Sequence, residues 1–145
     1  CYNPKVIGTT WMSASGMTEE KSKKVQMPLV FGLSYLFSCM LASALLPLTI
    51  HQMHIYSIFA TYEGLGVEGS DLMLSISNFL GDEINSFRTF KHGAFHGTLS
   101  GVFIALPILA TNAMFDAKGF KYIAVNGRYW IISIALMGGI ICQWA

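Results

Sequence analysis

Apolar positions fall into three long runs that charged residues border but hardly enter. From Pro28 to Ile50 there is no Asp, Glu, Lys or Arg. At about 1.5 Å of rise per residue this run is long enough to cross a hydrocarbon core of about 30 Å. A second uncharged run extends from Gly93 to Phe115, and a third, from Tyr122 to Ala145, contains only Arg128. The pattern predicts an all-α, polytopic transmembrane bundle with three visible spans, near 28–50, 93–115 and 122–145, in a single membrane domain covering 1–145. The link over 116–121 is short, so the second and third spans should form an antiparallel helical hairpin. Pro47 lies near the far end of the first span, where a lost backbone bond does little harm. Pro107 lies mid-span and predicts a kink, a feature of transporters and of static bundles alike.

The stretches between the runs are of two kinds. Residues 1–27 are polar and aromatic, with Pro4, Gly8 and Gly16 as breakers and Tyr2 and Trp11 suited to a headgroup region. They read as an interfacial loop that turns helical at Thr18, a plausible N-cap with Glu19 and Glu20 in the positive first turn. Residues 51–91 hold Glu63, Glu68, Asp71, Asp82 and Glu83, with glycines at 64, 66, 69 and 81. They read as an acidic extramembrane loop. Within it, Leu72, Leu74, Ile76, Phe79 and Leu80 fit a short surface helix or a strand almost equally well.

Composition agrees with lipid as the solvent: 53% of residues are hydrophobic and 12% charged, about half the charged share of an ordinary soluble domain. A net charge of +1 offers no basic face, so nucleic acid is not an expected partner. Lys5, Lys21, Lys23, Lys24, Lys118, Lys121 and Arg128 flank one side of the spans, and only Arg88 and Lys91 the other. The positive-inside rule then puts 1–27 and 116–121 in the cytoplasm, with the acidic loop and C-terminus outside. No signal peptide is visible ahead of Cys1, and a segment upstream is expected to be missing. A lipid-modified N-terminal cysteine is the competing account, which the cytoplasmic charge of this end disfavours. Cys1, Cys39 and Cys142 have no paired spacing and predict neither a disulfide framework nor a zinc knuckle.

The run Tyr2-Asn3-Pro4-Lys5-Val6-Ile7-Gly8-Thr9-Thr10-Trp11-Met12, followed by Thr18-Glu19-Glu20, resembles the signature of DUF1761, a family of small bacterial membrane proteins of unknown function. His92-Gly93-Ala94-Phe95-His96-Gly97, Asn112-Ala113-Met114-Phe115-Asp116, then Asn126, Tyr129 and Met137-Gly138-Gly139 resemble its second half in the same order. The similarity covers nearly the whole chain except the acidic loop. Two positions depart from it: Asp116 stands where a glutamate is expected, and Arg128 where a small residue is expected. The resemblance implies a compact helix bundle in the bacterial cytoplasmic membrane, a fourth span upstream of Tyr2, and no particular reaction.

Three constellations carry possible chemistry. His92 and His96 are one helical turn apart, the spacing that lets two imidazoles hold one metal ion, and His51 and His54 lie at the same outer boundary. With Glu63, Asp82 and Glu83 nearby, such a cluster could bind zinc, copper or iron. The plainer account is that histidines tolerate an interface. A haem between His92 and His96 is disfavoured, because ligands on one helix face cannot reach opposite sides of the iron. Gly93, Gly97, Gly101 and Ala105 form a stripe without side chains on which another helix can pack closely, and Ser34, Ser38 and Ala42 form a counterpart on the first span. The partner helix could belong to the same chain or to a second copy. Finally, Asn112, Asp116, Asn126 and Arg128 lie near the inner ends of the hairpin, where Asp116 and Arg128 could pair or line a polar path. No phosphate loop or nucleophile motif is present. The expected functions are therefore a packing subunit, as a homo-oligomer or beside other membrane proteins, then a small transporter or channel, then an outer-face transition-metal or redox site.

Overall fold

The computed structural model describes residues 9–18, 20 and 26–145. The tyrosine-asparagine-proline block, Glu19 and Lys21, Lys23 and Lys24 lie outside the described residues, so the helix start expected at Thr18 is not followed further. The fold class is the expected one: the described residues are helical, with no strand among them. Three helices are long and apolar enough to cross a membrane, Met27–Thr49, Phe90–Phe115 and Phe120–Trp144.

In chain order the elements are α1 (Thr9–Ser15), α2 (Met27–Thr49), α3 (Gln52–Ile58), α4 (Asp71–Leu80), a 3₁₀ turn (Gly81–Asn85), α5 (Phe90–Ser100), a π-helical segment (Gly101–Ala105), α6 (Leu106–Phe115) and α7 (Phe120–Trp144). The interfacial loop expected over 1–27 thus contains a short helix, α1, which docks against α7 through Trp11, whose Nε1 donates to Asn126 Oδ1 at 3.3 Å. The ambiguous stretch of the acidic loop is helix α4. Ser70 caps it by accepting from the Met73 amide at 3.2 Å, and Ile76 and Leu80 are buried. Spacing alone could not choose helix, but a serine cap with Asp71 in the first turn satisfies amides that a strand would leave to a partner.

Packing between α5 and α7 follows from the glycine stripe. A Cβ built on Gly93 would lie 2.2 Å from the Gly138 carbonyl oxygen, one on Gly97 would lie 2.4 Å from that of Ile134, and one on Gly101 would lie 2.8 Å from Ile131 Cα. The order of these partners makes the hairpin antiparallel, as expected. Backbone meets backbone, the arrangement by which helices gain dispersion contacts when lipid removes the hydrophobic drive. The partner is therefore a helix of the same chain, and its facing small residue is Gly138. Ser34 and Ser38 are not the counterpart: both are exposed, as is the whole of α2 from Met27 to Met40. Ala42 is half-buried, and among the described residues α2 joins the bundle only through its last turns, where Leu45, Thr49 and the following Ile50 are buried.

The kink expected at Pro107 takes the form of the π segment immediately before it. Proline lacks an amide hydrogen and its ring collides with the carbonyl four residues earlier, here that of Phe103. One widened turn accommodates both demands without breaking the helix. Ala105, the last member of the small-residue stripe, falls in this segment and is half-buried.

The turn between α6 and α7 closes the hairpin with paired backbone bonds. The Lys118 amide donates to the Ala113 carbonyl at 2.8 Å and the Ala117 amide to that of Met114 at 3.1 Å. This is a Schellman motif, and it puts Ala117 at φ 53°, the left-handed position that glycine normally fills.

Candidate metal centre

Three imidazoles meet where the end of α2, the start of α5 and the end of α7 converge. His51 is set by the exit of α2. The Thr49 hydroxyl donates back to the Leu45 carbonyl at 2.9 Å, and the Ile50 amide donates to the Leu46 carbonyl at 2.9 Å. Both residues are buried, so the chain leaves the helix in one direction only. His92 and His96 are set by the start of α5. Thr89 caps that helix, its hydroxyl accepting from the His92 amide at 3.3 Å, and this fixes the phase that puts the two rings on one face.

Each of His51, His92 and His96 offers one ring nitrogen, and the three nitrogens lie within 4.8 Å of one another. His51 Nε2 and His92 Nε2 are 2.9 Å apart, so one of them donates and the other accepts. Three nitrogens around a tetrahedral ion with bonds of about 2.0–2.1 Å would sit roughly 3.3 Å apart. A metal in place of the shared hydrogen would need ring shifts of an ångström or two at most. Neutral imidazoles with no thiolate suit zinc, copper or ferrous iron, and three of them leave a coordination position open.

Of the expected ligands, the structure brings together His51, His92 and His96 and leaves out His54, which is exposed one turn further along α3. Glu63, Asp82 and Glu83 do not join the cluster. Glu83 instead accepts from the Ser86 hydroxyl through its carboxylate. Aromatic rings flank the imidazoles: Phe87 lies 5.2 Å from His92, at an interplanar angle of 33°, and Phe95 packs edge-on against His96 at 5.5 Å.

The frame around the rings was not evident from spacing. Phe87 has φ 63°, a region that bulky side chains avoid and that persists only where neighbours hold it. Its carbonyl accepts from the Thr89 amide at 2.8 Å and lies 3.4 Å from Cys142 Sγ. The same thiol lies 3.4 Å from the Thr49 carbonyl oxygen, and Cys142 is fully buried. One side chain of α7 therefore contacts both segments that carry the histidines. Arg88 adds a second tie, donating through Nε to the Cys142 carbonyl at 2.8 Å and through its guanidinium to the Ala145 carbonyl. The Phe90 amide donates to Gln143 Oε1 at 3.0 Å. A single cysteine in an apolar run carries no sequence signal for such a role.

The polar set at the other end of the hairpin does not assemble. Asn126 is engaged by Trp11 and by its own helix, its Nδ2 donating to the Tyr122 carbonyl at 2.9 Å. Asn112, Asp116 and Arg128 are exposed. Among the described residues, no hydrogen bond or ion pair joins the side chains of any two of the four. The expected Asp116–Arg128 pair is therefore not formed. Instead, Lys118 Nζ donates to the Ser15 carbonyl at 3.2 Å and ties α1 to the turn.

Residues 1–142 match the family described as "Protein of unknown function (DUF1761)". No curated protein and no solved structure matches the chain.

Proposed function

Since the chain belongs to the DUF1761 family, whose description assigns no activity, we propose from geometry that it binds a transition metal at a membrane boundary through His51, His92 and His96. The observation that carries this is the convergence of three ring nitrogens within 4.8 Å, from two separate elements, on rings held by a capped helix start and a buried helix exit. A hydrogen bond between His51 and His92 accounts for two of the rings meeting; the third ring nitrogen, that of His96, within the same 4.8 Å is what supports a metal site. Zinc or copper is the favoured occupant, with the open position available to water or an exogenous ligand. The Lys and Arg distribution supports a histidine end facing outward across a bacterial cytoplasmic membrane, with the C-terminus on that side. A C-terminal reporter active only in the periplasm checks that orientation.

The test is metal content and spectroscopy on detergent-purified protein. Cobalt(II) substitution should give the intense visible bands of a tetrahedral site, and zinc should bind at about one ion per chain. His92→Ala with His96→Ala should abolish both, whereas His54→Ala should leave them intact. Less than about 0.1 ion per chain after loading, or equal binding by the double variant, would refute the proposal.

A second reading rests on α2, which is exposed along Met27–Met40 with Phe31, Tyr35, Phe37 and Met40 all turned outward. Because α7 already occupies the glycine stripe, homo-oligomer or subunit packing would use this helix. Cysteine cross-linking at Ser34 and Ser38 in native membranes tests it: no covalent dimer at either position removes this reading.

A further inference from the structure

Far from the histidines, the seam that is tight at Gly93, Gly97 and Gly101 loosens beyond the π segment. At Gly127 a built Cβ would meet one atom only, the far end of Leu106 at 2.7 Å. Between α6 and α7 this leaves a groove of about 360 Å³, lined by Leu106, Ala110, Ile123, Ala124, Gly127 and Ile131, with Arg128 in its wall. Ala110, Ala124 and Gly127 have no side chains long enough to fill it. Its surface is almost wholly carbon, so water is a poor occupant and a hydrocarbon chain a good one.

Arg128 is the second observation. It lies eight residues into a helix long and apolar enough to cross a membrane, roughly 12 Å from the helix start, and it is exposed. Among the described residues it has no carboxylate partner. A guanidinium remains charged at any accessible pH, so in a medium of low dielectric it requires an anion. Its fork matches phosphate oxygens in pairs. Lys121 is exposed about two turns nearer the helix start and adds positive charge at that end, where it would attract an anionic headgroup.

We propose that this groove holds an acyl chain of an anionic phospholipid whose phosphate is bound by Arg128. Any bilayer lipid can wet an apolar groove; selection of the headgroup is what the arginine adds. This inference does not depend on the metal site, which lies at the opposite end of the hairpin.

Native mass spectrometry of the full chain, released from micelles with phosphatidylglycerol or phosphatidylcholine, reads it directly. Phosphatidylglycerol should bind about tenfold more tightly, equivalent to ~1.4 kcal/mol. Arg128→Gln should abolish the preference, and Arg128→Lys should retain part of it. Ala124→Phe, which fills the groove, should reduce retention of both lipids. Equal retention of the two lipids by the unaltered protein, or an unchanged preference in Arg128→Gln, would overturn the proposal. Because Arg128 is exposed and has no partner among the described residues, its substitution removes no contact that holds the fold, and the outcome is interpretable.

Discussion

Gly97→Ala adds one methyl group where α5 and α7 touch through backbone. The new carbon would lie 2.4 Å from the Ile134 carbonyl oxygen and 2.9 Å from Ala135 Cα, against about 3.5 Å for a relaxed contact. No side-chain rotation relieves this, because both obstacles are main chain, so the helices must part by roughly 1 Å. A gap of that size forfeits a quarter to a half of each dispersion well. For even ~40 carbon pairs at ~0.15 kcal/mol each, the loss is ~2 kcal/mol, within the usual range for overpacking of about 1–3 kcal/mol. Gly138→Ala strikes the same contact from the other side, its Cβ falling 2.6 Å from the Gly93 carbonyl oxygen. The two changes together should then cost clearly less than the sum of their separate effects, since helices already parted accommodate the second methyl. Gly32→Ala is the control, with no atom within 4 Å of the added carbon. Reversible unfolding of detergent-solubilised protein in SDS, followed by tryptophan fluorescence, measures all four. Gly97→Ala within about 0.5 kcal/mol of the parent would mean that the seam does not rest on backbone contact.

Three further outcomes are expected. Ala117→Gly should raise stability by about 0.5–1 kcal/mol in the same assay, because glycine accepts the φ of 53° at this turn without a Cβ penalty. Arg88→Met should lower stability by about 1–2 kcal/mol, since it frees the carbonyls at the end of α7 that the guanidinium serves. Zinc at about a hundredfold excess over its dissociation constant should stabilise the protein by ~2.7 kcal/mol. That gain should be present at neutral pH and vanish on acidification, because a protonated imidazole has no lone pair for the metal; a thermal shift unchanged between the two conditions would count against the histidine ligands.

The three long apolar helices were legible in the chain because a bilayer tolerates charge so poorly that uncharged length alone marks a candidate span. Their observed ends lie within a few residues of the runs. The convergence of His51 with His92 and His96 was legible for a related reason: successive spans must return to the same boundary, so residues that end one and open the next become neighbours. What separates His51 from His54 is a helix cap and a ring direction, which no spacing encodes. Arg128 and Asp116 look like partners because both carry charge toward the same end of the hairpin, yet both side chains are exposed and no ion pair joins them. Trp11 reads as an interfacial anchor, and its bond to Asn126 depends on how α1 docks, which follows from tertiary packing. The π turn has only Pro107 as its cue, and a proline is equally compatible with a simple bend. Phe87 and Cys142 gave no cue, because backbone strain and burial of a single thiol belong to the assembled structure.

The grip on α2 at one end has a mechanical consequence. From Leu45 back to Met27 the helix is a lever roughly 27 Å long, held, among the described residues, only beside His51. A helix of this kind follows bilayer thickness by tilting, and a rotation of about 10° would carry its Met27 end ~5 Å sideways while the fulcrum hardly moves. If α2 crosses a bilayer, a change in lipid thickness should thus reorient most of that helix while leaving the imidazoles in place, and the histidine end would be mechanically insulated from its surroundings.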